Sequence, residues 1–403
     1  MLKIKEYKNN ILLLKLLCLF CYLLPAQSQS PLILNYSSVI CGNQQFESYV
    51  PLLKNKRVAV LTNNTGLVGT TSIVDTLLKL NVKIVKIFGP EHGFRGNTEA
   101  GEKVNHHKDA KTKLPVISLY GKNKKPSKEQ LKNVDILVYD IQDLGVRFYT
   151  YISTLTYAME ACAENNISFF VLDRPNPNGF YIDGPVLKKE WKSFLGLHQV
   201  PLVYGMTCGE YAKMVNEEVW LKNGLKCKLT VIPMQNYKRD ASYTLPVKPS
   251  PNIPNAAAVL LYPGLGLFEG SLISLGRGTP WPFQVIGHPA YSDTTFAFMP
   301  KPSSISSAPK YLNQKCNGID LRNNNYITNH PRKINIQWLI QFYNDLDRND
   351  FFDDNFNYHA GNAELKEQIK NRMREADIRQ SWQDDIEKFK LIREKYLIYP
   401  DFN

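Results

Sequence analysis

The chain has 403 residues, a formal net charge of +12 and 43% hydrophobic residues. That length exceeds one ordinary hydrophobic core and predicts two domains. The positive balance suits an acidic partner, but the basic runs "KNKKPSK" and "HHKDAKTK" carry no interleaved aromatics and no nucleic-acid module signature appears, which argues against a nucleic-acid reader.

The first predicted element is a leader. "MLKIKEYKNN" is a basic opening, "ILLLKLLCLFCYLLPA" an apolar run, and "AQSQS" offers small residues for cleavage near Ala26 or Ser28. Residues 1–28 therefore read as a signal peptide, and the mature protein as exported, periplasmic or secreted. Lys15 interrupts an apolar run shorter than the ~20 residues of a membrane span, so no stable membrane insertion is expected after cleavage. Losing Lys3, Lys5, Lys8 and Lys15 with Glu6 lowers the net charge by three, to +9. Cys41, Cys162, Cys208, Cys227 and Cys316 remain, too sparse and irregular for a disulfide framework or a Cys/His zinc site. His106 and His107, being adjacent, suit a loop better than a shared metal, and no metal is expected.

From Arg57 to Asp173 the hydrophobic period alternates. "RVAVLT" reads as a buried strand, "SIVDTLLKL" as an amphipathic helix, and "VKIVKIFG" and "LPVISLYG" as strands. "SKEQLKNV" reads as a short helix capped by Ser127, "DILVYDIQD" as a strand, "YISTLTYAMEACAENN" as a helix and "SFFVLDRP" as a strand. Short β-rich runs alternating with amphipathic helices predict βαβ units, hence an α/β fold with a Rossmann-like, doubly wound parallel sheet over residues 29–240. "LTVIPMQNY" adds a further strand. The proline-rich "LPVKPSPNIPN" reads as an extended connection, with the domain boundary near Ala241, and "AAVLLYPGLGLFEG" as a strand entering a glycine-rich turn. "INIQWLIQFYNDL", "NAELKEQIKNRMREA" and "IRQSWQDDIEKFKLIREKYLIY" each carry an apolar helical stripe, so residues 241–403 read as a smaller α+β domain that completes a cleft.

Ligands of open α/β sheets bind outside the carboxyl ends of the strands. The strand assignments put Glu91 there, in "FGPEHGFRG", with Asp140 and Asp143 ending "DILVYDIQD" and Asp173 ending "SFFVLD". Arg95, Arg147 and Arg174 follow in the same loops. A rim of carboxylates and guanidiniums suits acid–base chemistry, although Asp143 with Arg147, or Asp173 with Arg174, fit structural ion pairs equally well. Glu91, between Pro90 and a His-Gly pair, has no evident capping role, and a half-buried carboxylate without a task is costly. The turn "TNNTGLVGTTS" has neither dinucleotide-binding nor P-loop spacing, and no G-x-S-x-G elbow occurs. No nucleotide or other cofactor is therefore expected, and carboxylate-driven hydrolysis of a sugar bond is the best chemical fit.

"FGPEHGFRG", "DILVYDIQDLGVRFYTYISTL", "VLDRPNPNG", "VPLVYGMTCGE", "PSPNIP", "LYPGLGLFEG" and "SLGRGTPWPF", in that order, resemble the exo-β-N-acetylmuramidases of the NamZ type. The resemblance runs from about Val58 to the closing "YLIY", and Leu245 is a departure where an aromatic residue is expected ahead of "PSPNIP". It implies a glycosidase that removes N-acetylmuramic acid from the non-reducing ends of peptidoglycan-derived oligosaccharides, with Glu91 at the position of the family's acid/base. The lactyl carboxylate of that sugar calls for a guanidinium, for which Arg95, Arg147, Arg174 and Arg277 are the candidates. Tyr149, Tyr151 and Phe94 are candidates for stacking on the sugar, and His92, Asp140, Gln142, Asp173 and Asn176 are further substrate-binding candidates. Two mechanisms fit. Either a second carboxylate, Asp143 or Glu269 ahead of Asp140, acts with Glu91, or the acetamido oxygen of the substrate attacks while a carboxylate orients it. The alternatives to catalysis by this route are a non-catalytic binder of muramyl fragments and a metal-dependent phosphoesterase.

Overall fold

The computed structural model describes residues 39–91, 93–95, 107–240, 243–329 and 331–402. The expected signal peptide, His92, His106 and Ala241 at the expected boundary lie outside the described residues.

The central sheet contains β1 (Val58–Thr62), β2 (Ile84–Gly89), β3 (His107–Lys108), β4 (Pro115–Ser118), β5 (Ile136–Asp140), β6 (Ser168–Leu172) and β7 (Lys228–Ile232). They lie side by side in the order β3-β4-β2-β1-β5-β6-β7, all parallel except β3, which pairs antiparallel with β4 at the edge. The sequence order of the parallel strands reverses between β1 and β5, and ligands of doubly wound sheets bind at such a switch point. Every residue of β1 and β5 is buried, as both faces of a parallel sheet must be covered. Val58 and Val60 face one core with Tyr49 and Leu53 of α1 (Phe46–Leu53) and with Ile73, Val74 and Leu77 of α2 (Ile73–Lys79). Ala59 and Leu61 face the other, with Ile152, Leu155 and Met159 of α3 (Tyr151–Glu164) and Tyr211, Met214 and Val215 of α4 (Cys208–Glu217). The period of two along β1 thus sorts its side chains between two helical layers.

The second core continues without a break into the later chain, through Trp338, Leu339 and Phe342 of Gln337–Leu346 and Ile386 and Phe389 of Gln383–Arg393. A small antiparallel sheet accompanies these helices, with Cys316–Asp320 between Val285–His288 and Ala297–Phe298.

Two predicted elements differ from the expectation. "AAVLLYPGLGLFEG" is not a strand: Ala256–Leu265 forms a helix, α5, followed by a 3₁₀ turn over Gly266–Gly270. Its apolar run is buried on several sides and so lacks amphipathic period. The deciding local signals are Asn255, whose Oδ1 accepts the Ala258 N–H at 3.0 Å, and the three alanines that follow it. "SKEQLKNV" makes the reciprocal capping bonds, Ser127 N–H to Gln130 Oε1 at 2.9 Å and Gln130 N–H to Ser127 Oγ at 3.2 Å. It remains a series of turns, because Asn133 enters the left-handed region at φ 62° before a second helical turn can close.

Candidate active site

Glu91 is held by a tight reversal at the end of β2. The Gly93 N–H donates to Pro90 O at 2.9 Å, Gly93 has φ +72°, and the returning chain passes so close that a Cβ on Gly89 would meet the Phe94 nitrogen at 2.9 Å. Phe94 is buried beneath this turn, which leaves the Glu91 carboxylate facing the start of α3. There the Thr150 hydroxyl reaches Glu91 Oε2 at 3.5 Å.

A cavity of about 240 Å³ opens beside it. One side comes from the loops after β2 and β5: Glu91, Phe148, Tyr149, Thr150 and Tyr151, with Leu195. The other comes from the later chain: Ser250, Asn252, Ile253, Tyr262, Glu269, Arg277, Phe283 and His359. The walls are aromatic, with Tyr149 edge-on to Tyr151 (4.8 Å) and to Tyr262 (5.8 Å), and Tyr262 edge-on to Phe148 (5.4 Å) and Phe283 (5.1 Å).

The charges in this cavity are mutually adjusted. Arg277 Nη2 donates to Glu269 Oε1 at 2.6 Å, and its guanidinium lies 5.1 Å from the centre of the Phe283 ring. Burial works to raise the Glu269 carboxyl, but the Arg277 charge and hydrogen bond outweigh it and hold the group below its ordinary value, so it is ionised at neutral pH. Burial similarly works to lower the Arg277 guanidinium, and Glu269 followed by Tyr262 and Glu91 keep it above its usual range. Burial, then the Glu91 charge, pushes the Tyr151 phenol up; burial, then the Glu269 charge, does the same to Tyr262. Burial lowers His359, whose Nδ1 sits 3.1 Å from Asn355 O, so its ring is neutral. The cavity thus holds two carboxylates, one guanidinium and several phenols that stay protonated.

Of the residues singled out from sequence, Glu91, Glu269, Arg277, Tyr149 and Tyr151 are brought together here. Apart from His92, which lies outside the described residues, the others are committed to the scaffold. Asp140 is fully buried against Arg174, which donates Nε to Oδ1 at 2.6 Å and Nη2 to Oδ2 at 3.1 Å, while Asn43 adds a bond to Oδ2. Asp143 accepts the Gly145 N–H at 2.6 Å and the Tyr204 hydroxyl, and burial raises it to about 6. Asp173 accepts from Thr207 Oγ1 (2.7 Å), Gly209 N (2.8 Å) and Tyr399 Oη (2.7 Å), tying α4 and the chain end to β6. Gln142 Nε2 donates to the carbonyls of Asp143 and Pro175, and Asn176 Nδ2 to that of Met206.

Arg147 makes no ion pair among the described residues. Its buried guanidinium donates to the carbonyls of Pro185 (2.7 Å), Val200 (2.9 Å), His359 (3.1 Å) and Ala360 (2.6 Å), and burial lowers it to about 9. It therefore clamps the backbone under the cavity and offers nothing to a ligand. Arg95 lies 4.4 Å from the centre of the Phe94 ring and forks onto Asp109. Burial works to raise Asp109, but Arg95 and the Thr112 N–H and hydroxyl hold it at about 2. Phe94 is 3% exposed and does not line the cavity.

The sequence reading missed Ser250, Asn252, Tyr262 and His359. Asn252 stood in the quoted "PSPNIP" and Tyr262 in "LYPGLGLFEG", but the first was read as a connection and the second as a strand. A larger groove of about 910 Å³ lies along Tyr243–Pro249 with Phe180 and Leu260. Its ionisable groups are Asp240, Tyr243, Lys248 and Arg332, with no pair of acids, whereas the smaller cavity holds both Glu91 and Glu269.

Among the described residues, no group of three or more His, Cys, Asp or Glu side chains is arranged to hold a metal, and no helix is long and apolar enough to cross a membrane. The five described cysteines are buried and unbridged.

Comparison with known proteins bears directly on this cavity. Residues 58–257 match the family profile described as the N-terminal part of exo-beta-N-acetylmuramidase NamZ, and residues 260–399 match its C-terminal part. The chain is 41% identical over 375 residues to the peptidoglycan beta-N-acetylmuramidase NamZ of Bacillus subtilis, spanning 87% of this chain and 89% of that protein. It is also similar to two crystal structures of DUF1343 family proteins from Bacteroides fragilis. One is 44% identical with a TM-score of 0.84, covering 91% of this chain and all of the other; the second is 33% identical with a TM-score of 0.76, covering 90% and 99%.

Proposed function

This chain belongs to the exo-beta-N-acetylmuramidase NamZ family, and on that premise we propose an exo-acting glycoside hydrolase that releases N-acetylmuramic acid from the non-reducing end of peptidoglycan fragments. Glu91 is its acid/base. The observation that carries this reading is that, of the five carboxylates considered from sequence, Glu91 and Glu269 line one aromatic-walled cavity with Arg277, while Asp140, Asp143 and Asp173 are sealed in the scaffold.

Cleaving a glycosidic bond requires a proton on the leaving oxygen and stabilisation of an oxocarbenium-like transition state. Glu91, partly exposed and touched by one hydroxyl, delivers the proton. Glu269, kept ionised by Arg277, supplies the second, negative group. The remaining N–H donors of Arg277 receive the lactyl carboxylate, a role that Arg95, Arg147 and Arg174 cannot share because their guanidiniums are engaged elsewhere. At about 240 Å³ the cavity falls below the ~300–1,000 Å³ of drug-sized ligand sites. That suits a single terminal sugar, as exo action requires. The basic, signal-bearing sequence supports action outside the cytoplasm, with the chain beyond residue 240 completing the cleft.

Release of a chromogenic aglycone from a β-N-acetylmuraminide, beside the matching β-N-acetylglucosaminide and without added metal, tests the proposal. Cleavage of the muraminide alone is expected. Cleavage of neither, with the muramyl sugar still bound tightly, would make the protein a binder and Glu91 a ligand contact.

A further inference from the structure

The turn that separates the two cavities carries a side chain that the folded chain does not satisfy. Asn252 lines the smaller cavity, is 2% exposed, and has no hydrogen-bond partner among the described residues at either Nδ2 or Oδ1. Leaving a buried polar group unpaired costs roughly 1–3 kcal/mol, and the turn has no easy way to relieve it. Ile253 N–H donates to Ser250 O at 3.1 Å, closing the turn, and the Tyr149 hydroxyl pins Pro249 O at 2.9 Å. Pro249, Pro251 and Pro254 further restrict the backbone around Asn252. The carboxamide is therefore held by a stiff turn and left without a protein partner among the described residues, at the wall of the proposed sugar site.

We propose that Asn252 is the specificity residue that reads the 2-acetamido group of the bound sugar, an inference that rests on the cavity being the sugar site. A secondary acetamide is trans, with its carbonyl and its N–H on opposite edges, so it meets Asn252 through one of them, and the carbonyl, accepting from Nδ2, is what the acetyl group adds to the sugar. An ammonium at the 2-position has donors only and would leave Nδ2 unpaired. A carboxylate is better matched by the charged, forked donors of a guanidinium than by a neutral carboxamide, so the lactyl group belongs to Arg277 and the acetamido group to Asn252. The two features that distinguish N-acetylmuramic acid from glucose are thereby read by different residues of the later chain.

Isothermal titration of the full chain with N-acetylmuramic acid, muramic acid, N-acetylglucosamine and glucosamine tests this in wild type, Asn252→Ala and Asn252→Asp. Wild type is expected to bind the acetylated member of each pair at least about tenfold tighter. Asn252→Ala loses about that factor on the acetylated sugars and leaves the amines nearly unchanged. Asn252→Asp, an acceptor-only carboxylate, shifts preference toward the amines. Because the group removed was unpaired, the unliganded Asn252→Ala protein keeps or raises its melting temperature, whereas an asparagine with a structural role would lower it. Equal weakening of acetylated and amino sugars in Asn252→Ala, or unchanged discrimination, overturns the assignment.

The sugar pairs separate this inference from the muramidase reading. Preference for N-acetylglucosamine over glucosamine that depends on Asn252, with no binding of N-acetylmuramic acid, would sink the muramidase reading alone. N-acetylmuramic acid binding whose acetyl preference survives Asn252→Ala would sink the Asn252 assignment alone. Failure to bind either acetylated sugar would overturn both.

Discussion

Two clusters of carboxylates and guanidiniums, one wholly from the strand-end loops of the sheet and one joining Glu91 of such a loop to Glu269 and Arg277 of the later chain, are built in opposite ways. In the inner cluster, Asp140 is tied by Arg174 and Asn43, Asp173 by Thr207, Gly209 and Tyr399, and the two terminal nitrogens of Arg147 by four carbonyls, its Nε being buried without a partner among the described residues. In the outer cluster, among the described residues, Glu91 has a single 3.5 Å hydrogen-bond contact, from Thr150, and Arg277 has one carboxylate partner at ion-pair distance, beside an open cavity. Residue type is shared, and Glu91 also shares the strand-end position. What separates scaffold from chemistry is hydrogen-bonding capacity left facing an open cavity, since a group sealed in the scaffold has nothing to offer a substrate.

The sharpest test of that contrast exchanges one oxygen for nitrogen in the outer cluster. Glu91→Gln keeps shape but cannot donate the proton, and general acid catalysis contributes ~10²–10⁴-fold. Turnover of the muraminide should fall by about 10³, with the thermal midpoint unchanged. Near-normal turnover would remove Glu91 from the mechanism. The inner cluster should respond in the opposite sense. Arg147→Lys cannot reach four carbonyls with one ammonium, leaves several buried acceptors unpaired, and should lower unfolding stability by about 3 kcal/mol. Denaturant unfolding would detect this, and a loss below about 0.5 kcal/mol would show that Arg147 is not the clamp described.

Much of this was legible in the sequence, and the parts that were not share a cause. The strands from Arg57 to Asp173 announce themselves because parallel strands buried on both faces are short apolar runs with few competing assignments. Glu91 was legible because proline and glycines around an acid rarely serve packing. Asp143, Arg147 and Asp173 could be assigned neither to structure nor to function, since a side chain's hydrogen-bond partners lie far away in sequence, such as Tyr399 for Asp173 and Ala360 for Arg147. Asn252 was hidden by its neighbours: three prolines suggested a connector, whereas here they stiffen a turn that presents a side chain. α5 was misread because a helix buried on several sides loses the 3.6-residue period that marks a surface helix.

Asp143 offers a quieter way to separate the clusters, through pH. Its carboxyl is raised by burial from 3.8 to about 6 in the folded chain. A carboxyl with a raised folded value binds its proton more tightly when folded than when unfolded. Stability is therefore lost as pH rises through the window from about 4 to about 6, and the total loss is up to about 3 kcal/mol. Asp143→Asn keeps an oxygen to accept from Gly145 and Tyr204 but has no charge to bury. Its stability relative to wild type should rise across that window and level off above it, as read from denaturant unfolding at several pH values. Asp173 is also raised to about 6 by burial and remains in both proteins, so only the difference between them is diagnostic. A flat difference would mean that Asp143 is not the sealed acid described and would return it to the list of catalytic candidates.

The smallest effect concerns selectivity within the outer cluster. Arg277→Lys preserves a positive charge opposite Glu269 but replaces a planar fork with a single ammonium. If Glu269 needs only the charge, turnover of substrates should change little, whereas a lactyl carboxylate that was gripped by two parallel N–H groups loses one of them. The preference for the muraminide over the glucosaminide should then narrow by about tenfold, about 1.4 kcal/mol, through KM more than kcat because the lactyl group is remote from the bond that breaks. An equal loss on both sugars would assign Arg277 to Glu269 alone, and the lactyl contact would have to be sought among other residues of the cavity wall. A narrowing confined to KM would show that one arginine serves two needs at once: it neutralises a half-buried acid, as Arg174 does for the fully buried Asp140, while facing a cavity in which its remaining donors can meet a ligand.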